Sequence, residues 1–265
     1  MAEPSNPPFV ENRIRALLFL QKKKDMPYEE WRHYWMGEHA QIVLGVPIVR
    51  RNFLKYEQLH VNREWKERLR QSPGMRVPDF DGVVVLEGES LEKLAEVTQD
   101  PEYIEKVVAD AVNIFQLENT IQGAFNIAVI ADKSAKDAKP VVGCFIREDV
   151  GRVLLPLHRK DGSSHAEFSQ HWLNVHAPLF KHLLATSASI SKYEQLHVQQ
   201  GSGVSPGSPL DWDGVGVFEA KSLANAMEVF ADERFVKIAT EDGAKFVSDG
   251  QSDIFPCDVV TLIDN

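Results

Sequence analysis

The stretch KYEQLHV occupies residues 55–61 and recurs unchanged at residues 192–198. It mixes a base, an acid, two ring side chains and an amide, so low complexity does not explain the repeat. The offset, 137 positions from Lys55 to Lys192, also carries Trp35 to Trp172, His39 to His176 and Ala40 to Ala177. Downstream, DFDGVVVLE at 79–87 matches DWDGVGVFE at 211–219 with an offset of 132, so five residues are missing from the second copy. The shorter offset persists from DPEYI at 100–104 to DERFV at 232–236, and from Asp110 to Asp242. A period this long lies far above the 20–50 residues of solenoid repeats. The chain is therefore two domain-sized modules: a tail over 1–12, module 1 over 13–132, a linker over 133–150 and module 2 over 151–265.

Each module yields the same string of elements. IRALLFL at 14–20, and 153–157 in the second copy, read as short buried strands. A helix follows, with Pro27 at its first position in module 1 and Ser164 with Glu167 at capping-box spacing in module 2. Its apolar stripe is Trp31, Trp35, His39, Ile42, and in the second copy Phe168, Trp172, His176, Leu179. The repeated heptad alternates as a strand, with Lys55, Glu57, Leu59 and Val61 on one face and Tyr56, Gln58 and His60 on the other. A third strand enters through Asp-Gly, read as a turn dipeptide. A second helix covers about 91–115, broken near Asp100-Pro101, and 223–246 in module 2. A last strand covers 124–130 or 257–263. The order βαββαβ is the ferredoxin-like arrangement, whose open sheet face needs cover. Two modules in one chain can supply it by closing into a barrel. VVGCFI at 141–146 reads as an additional strand whose place is open.

Bulk properties exclude several classes. The 265 residues carry a net charge of −10, which argues against a nucleic-acid partner. The two cysteines form no framework or ligand spacing, so a reducing, cytoplasmic setting is expected. No secretory pattern opens the chain, and no apolar run approaches the roughly 18 residues of a membrane span. Neither HxH nor HExxH spacing is present, so no metal is expected, and there is no phosphate-binding glycine motif. GSGVSPGSP at 201–209 reads as a flexible loop or lid.

The helix pattern Trp35…His39-Ala40 and Trp172…His176-Ala177-Pro178, the D-G-V-x-x-x-E strand and the D-P-E-Y helix together resemble the EthD-domain family. The resemblance implies dimeric α+β barrels, here fused in one chain. Related barrels include cofactor-free decarboxylases, dehydratases and cyclases of aromatic polyketides, quinone-forming monooxygenases, muconolactone-type isomerases and haem proteins. Module 1 departs from the H-A-P pattern, with Gln41 after Ala40.

Candidate chemistry begins with His39 and His176. Each lies one helical turn after a tryptophan, where desolvation favours a neutral imidazole able to take and return a proton. The alternative is that each only ties helix to sheet. His60 and His197, with Tyr56 and Tyr193, share a strand face that looks either at the helices or into the seam between modules. Trp31, Trp35, Phe168 and Trp172 offer walls for a flat substrate. Asp81 and Asp213 are candidate substrate contacts, although Asp before Gly is chiefly turn chemistry. Glu87 and Glu219 are expected to face solvent, and Asp110 and Asp242 to pair or cap locally. The expectation is a cofactor-independent lyase or isomerase acting on an aromatic or polyketide-like molecule. The alternatives are a cofactor-free or haem-linked oxidoreductase, with a helix histidine as axial ligand, and a non-catalytic binding module. The chain is expected to be a self-contained pseudo-dimer, with further dimerisation through sheet edges left open.

Overall fold

The computed structural model describes residues 9–72, 75–133, 140–187, 189–199, 208–209, 211–248 and 252–265. The first eight residues, the linker core 134–139 and most of the 201–209 loop lie outside that set.

Eight antiparallel strands form a closed barrel. Module 1 contributes β1 (Ile14–Leu20), β2 (Lys55–Val61), β3 (Gly82–Gly88) and β4 (Ile121–Asp132). Module 2 contributes β5 (Val141–Leu157), β6 (Ile190–Val198), β7 (Gly214–Ala220) and β8 (Phe255–Asp264). Around the barrel the order is β4-β1-β3-β2-β8-β5-β7-β6 and back to β4. Each module thus keeps the ferredoxin-like order 4-1-3-2 among its own strands.

The repeated heptads are the two outer strands at which the modules meet. The β2 copy pairs with β8 of the other module, His60 opposite Asp258, and the β6 copy pairs with β4, His197 opposite Asn126. The sheets join edge to edge, so each module satisfies the backbone groups that the other would leave open. VVGCFI is not a separate strand. It is the first part of β5 and pairs with the end of β8, Val141 opposite Asp264 and Ile146 opposite Val260, with bulges between.

Alternation along each strand puts one set of side chains inside the barrel and the other beneath the helices. Leu17, Leu59, Val85, Phe125, Leu196, Val217 and Val259 share the interior core. Beside them lies a buried ionic cluster. Arg15 pairs with Glu87 at 2.6 Å and with Glu194 of the other module at 2.6 Å. Its counterpart Arg152 pairs with Glu219 at 2.7 Å and with Glu57 across the module boundary. Glu87 is therefore enclosed, at 1% exposure, and not solvent-facing as the sequence suggests; Glu219 is ion-paired as well. Burial alone would raise the Glu57 and Glu194 carboxyls, but the arginines and neighbouring lysines outweigh it and hold both well below the usual carboxylate range.

The main helix of each module, α1 (28–45) in module 1 and its counterpart over 165–186, contains a π-helical turn, Trp35–His39 and Trp172–His176. An α-helix at 3.6 residues per turn drifts off a four-residue spacing. The wider π turn restores it. Trp31, Trp35, His39 and Val43 therefore stay in line, as do Phe168, Trp172, His176 and Phe180. The expected stripe ends at Ile42 and Leu179 are displaced from it: Leu179 is 42% exposed. Pro27 caps α1 from just outside rather than opening it. The second helix of module 1 runs as Leu91–Gln99 and then 101–114, interrupted at Asp100, whose side chain caps the later segment.

Candidate functional site

Between the helices and the outer face of each half-barrel lies a cavity. The module 1 cavity is about 500 Å³ and the module 2 cavity about 340 Å³. Trp35, His39 and Tyr56 line the first, and Trp172, His176 and Tyr193 line the second. The remaining walls are mainly apolar: Leu18, Val43, Leu86 and Phe115 in module 1, Leu155, Phe180, Phe218 and Phe235 in module 2.

The helix histidines are held by carboxylates. His39 Nδ1 donates to Asp110 Oδ2 at 2.7 Å, and His176 Nδ1 to Asp242 Oδ2 at 2.8 Å. Because the carboxylate accepts, Nδ1 carries the proton and Nε2 keeps its lone pair. Asp110 is oriented in turn by Tyr34, whose hydroxyl donates to Oδ1 at 2.7 Å. At the position equivalent to Tyr34, module 2 has His171, which contacts Asp242 at 3.2 Å, and Lys245 reaches the same carboxylate at 3.1 Å. Burial lowers both His39 and His176 below the ordinary 6.5, against the hydrogen bond and charge of the aspartate, which raise them. Asp110 and Asp242 are thus the carboxylate partners of the two helix histidines, which sequence reasoning assigned only to local pairing or capping. The signal was present in their shared offset.

The strand residues divide. Tyr56 and Tyr193 line the cavities, while His60 and His197 lie behind the tryptophans and line neither. The His60 ring centroid is 4.4 Å from that of Trp35, and His197 is 4.7 Å from Trp172. Burial pushes both imidazoles down to about 3. Between Tyr and His on each strand, Gln58 Nε2 donates to the Trp35 carbonyl at 2.9 Å and Gln195 Nε2 to that of Trp172 at 3.0 Å. These bonds pin the π turn to the sheet. The Tyr56-Gln58-His60 face accordingly looks at the helix, and the opposite face of the heptad looks into the barrel.

Trp31 and Phe168 support the cavity tryptophans from behind, with ring centroids at 4.9 and 5.5 Å, and do not line the cavities. Asp81 and Asp213 do not line them either. Asp81 accepts from the Lys22 backbone at 2.9 Å and Asp213 from that of Arg159 at 2.8 Å, tying strand to strand. The glycine after each aspartate has its own reason. A Cβ on Gly82 or Gly214 would sit 2.5 Å from the Trp35 or Trp172 indole, so the Asp-Gly pair makes room for a ring within a strand rather than forming a turn.

No group of three His, Cys, Asp or Glu side chains suited to a metal ion occurs among the described residues. His39, with Nδ1 on a carboxylate and its ring in the wall of a cavity, has the arrangement used both by a general base and by an axial haem ligand. No helix among the described residues is long and apolar enough to cross a membrane.

Solved structures share the architecture. A monooxygenase-like protein from Fusobacterium nucleatum superposes with a TM-score of 0.58 at 11% identity, covering 94% of both chains. A second monooxygenase-like protein, from Lactobacillus acidophilus, gives 0.53 at 8% identity over 96% of this chain and 99% of that one. An anthrone oxidase-like protein gives 0.59 at 12% identity over 97% of both. At these identities the likeness is one of fold. Among curated proteins none matches in sequence. The EthD domain model matches residues 23–118 and again 160–250, once per module and over more than half of the chain. The chain belongs to the EthD-domain family, carrying two tandem copies of the domain.

Proposed function

We propose that the protein is a cofactor-independent lyase or isomerase, of decarboxylase, dehydratase or cyclase type, that moves a proton on an aromatic or polyketide-like small molecule. One observation carries this reading: the His39–Asp110 pair, closed at 2.7 Å, at the wall of an apolar cavity of about 500 Å³. Desolvation keeps His39 neutral at physiological pH, so Nε2 can accept a phenolic or carbon-bound proton. Asp110 stabilises the imidazolium that forms and fixes the ring tautomer. An electron-rich ring spreads the developing charge over its own oxygens, and the imidazolium returns the proton to carbon. The module 1 cavity, about 500 Å³ and walled mainly by apolar side chains, has room for a flat bicyclic or tricyclic ring and disfavours competing water.

The test is deuterium exchange. In D2O the protein should incorporate deuterium at ring carbons of 1,3-dihydroxynaphthalene, read by mass spectrometry. His39→Asn should lower the rate by about 100-fold or more, the usual range for loss of a general base. Asp110→Asn should lower it too and shift the acid limb of the pH profile to lower pH, because Asp110 raises the His39 pKa. Exchange at equal rates in wild type and His39→Asn would overturn the proposal. Purification from haem-supplemented culture tests the other use of the same imidazole: a Soret band abolished by His39→Asn would favour haem ligation.

A further inference from the structure

The two cavities share their tryptophan, histidine and tyrosine, yet their polar groups are in opposite states. In module 2 the Tyr193 hydroxyl accepts from Gln195 Nε2 at 3.2 Å and from the Trp172 side chain. In module 1, among the described residues, the Tyr56 hydroxyl has only the long 3.5 Å contact from Gln58. The Trp35 indole N–H, whose counterpart on Trp172 bonds Tyr193, has no partner among the described residues. Tyr103 adds a phenol to the module 1 wall, where module 2 has Phe235. Phe180 and Phe218 replace Val43 and Leu86, and Phe218 stacks on Tyr193 with centroids 4.4 Å apart. Module 2 has therefore spent its tyrosine hydroxyl on its own side chains and narrowed its cavity with rings. Module 1 offers two phenols, Tyr56 and Tyr103, at the wall of a larger space, and a polar group held away from water gains from a ligand that satisfies it.

We infer that module 1 alone binds the substrate, through Tyr56 and Tyr103, and that this substrate is a flat ring system bearing oxygen on more than one edge. Module 2 does not take that ligand, and its cavity serves as packing. The inference rests on the proposed function only for the ring-like nature of the substrate. It adds which module acts and which side chains read the oxygens.

Calorimetric titration with 1,3-dihydroxynaphthalene tests it. One site per chain is expected. Tyr56→Phe and Tyr103→Phe should each weaken binding by about tenfold, the worth of one hydrogen bond to a buried partner. Naphthalene, lacking both hydroxyls, should bind weakly and be insensitive to the two changes. Val43→Phe, which imports the module 2 residue, should abolish the site. Because a bulky insertion can disturb folding, the reverse variant Phe180→Val with Phe235→Tyr provides an independent arm and should create a second site. Two sites in the wild type, no binding at all, or affinity unchanged by both tyrosine variants would overturn the inference. Failure of the two readings separates cleanly. Tyrosine-dependent single-site binding without deuterium exchange removes the chemistry and keeps the site. Exchange lost in His39→Asn but untouched in Tyr56→Phe/Tyr103→Phe keeps the chemistry and removes these contacts.

Discussion

The barrel interior and the helix-covered cavities have had different histories within one chain. Inside, the charged residues match between the copies: Arg15 with Arg152, Glu57 with Glu194, Glu87 with Glu219. Outside, under the helices, Val43 faces Phe180, Leu86 faces Phe218 and Tyr103 faces Phe235 across the duplication. The reason is who each residue meets. An interior residue contacts the opposite module, so Glu57 constrains Arg152 while Glu194 constrains Arg15. A change on one side strands a buried charge on the other. The residues that line each cavity belong to one module, and apart from Tyr56 and Tyr193, which sit opposite Ile263 and Ala131 on the boundary strands, they answer mainly to their own copy. Symmetry is retained in the ionic network, where a change in one copy strands a charge of the other, and relaxed at apolar positions, inside the barrel where Phe125 corresponds to Cys257 and in the cavity walls.

The sharpest way to break this comparison is to alter the two helix histidines separately. His39→Asn should reduce turnover by about 10²–10⁴-fold. His176→Asn should leave it within about twofold, because its cavity does not take the substrate; comparable losses would restore equivalence of the modules. Interior changes should behave in the opposite way. Glu57→Gln and Glu194→Gln each leave an arginine half-paired, so each should cost about 3–5 kcal/mol. The two values, read from urea denaturation, should agree within about 0.5 kcal/mol, and a large inequality would show that the interior is not symmetric in energy. Gly82→Ala and Gly214→Ala force a methyl group against an indole and should each cost about 1–3 kcal/mol. Gly82→Ala alone should also reduce turnover, since only Trp35 serves the active cavity.

The smallest expected effect is a slope. His60 and His197 are neutral in the fold to about pH 3 but protonate near 6.5 when unfolded. Between these values the unfolded chain binds more protons, so stability rises with pH through this window and falls as the solution is acidified. Each histidine contributes at most about 1.4 kcal/mol per pH unit there. His60→Gln and His197→Gln should flatten the dependence equally, one proton each, in denaturation curves taken from pH 4 to 6.

The duplication, the strand order and the Trp/His helix were legible because a repeat doubles every weak signal. What stayed hidden has two physical causes. First, a charged face on a strand reads as solvent-facing. Glu87 and Glu219 are instead drawn into a network in which Arg15 and Arg152 also reach Glu194 and Glu57 of the opposite module, and no local pattern marks that. Second, partners distant in sequence are invisible to spacing. Asp110 lies 71 residues beyond His39. The Asp-Gly pair was misjudged for a related reason: its glycine answers to Trp35, which no turn rule consults. The π turn is likewise absent from helical periodicity, yet it decides that Val43 and Phe180, not Ile42 and Leu179, complete the cavity walls.

The identical heptads also bear on how the chain assembles. During folding, β2 and β6 offer the same seven residues to the incoming strands β4 and β8, so only those incoming strands distinguish the right dock from the wrong one. At high concentration the same ambiguity extends to neighbouring molecules, whose half-barrels can complete one another and trap exchanged dimers. The short covalent path between modules is then a kinetic device, keeping the correct partner at high effective concentration until the ring has closed.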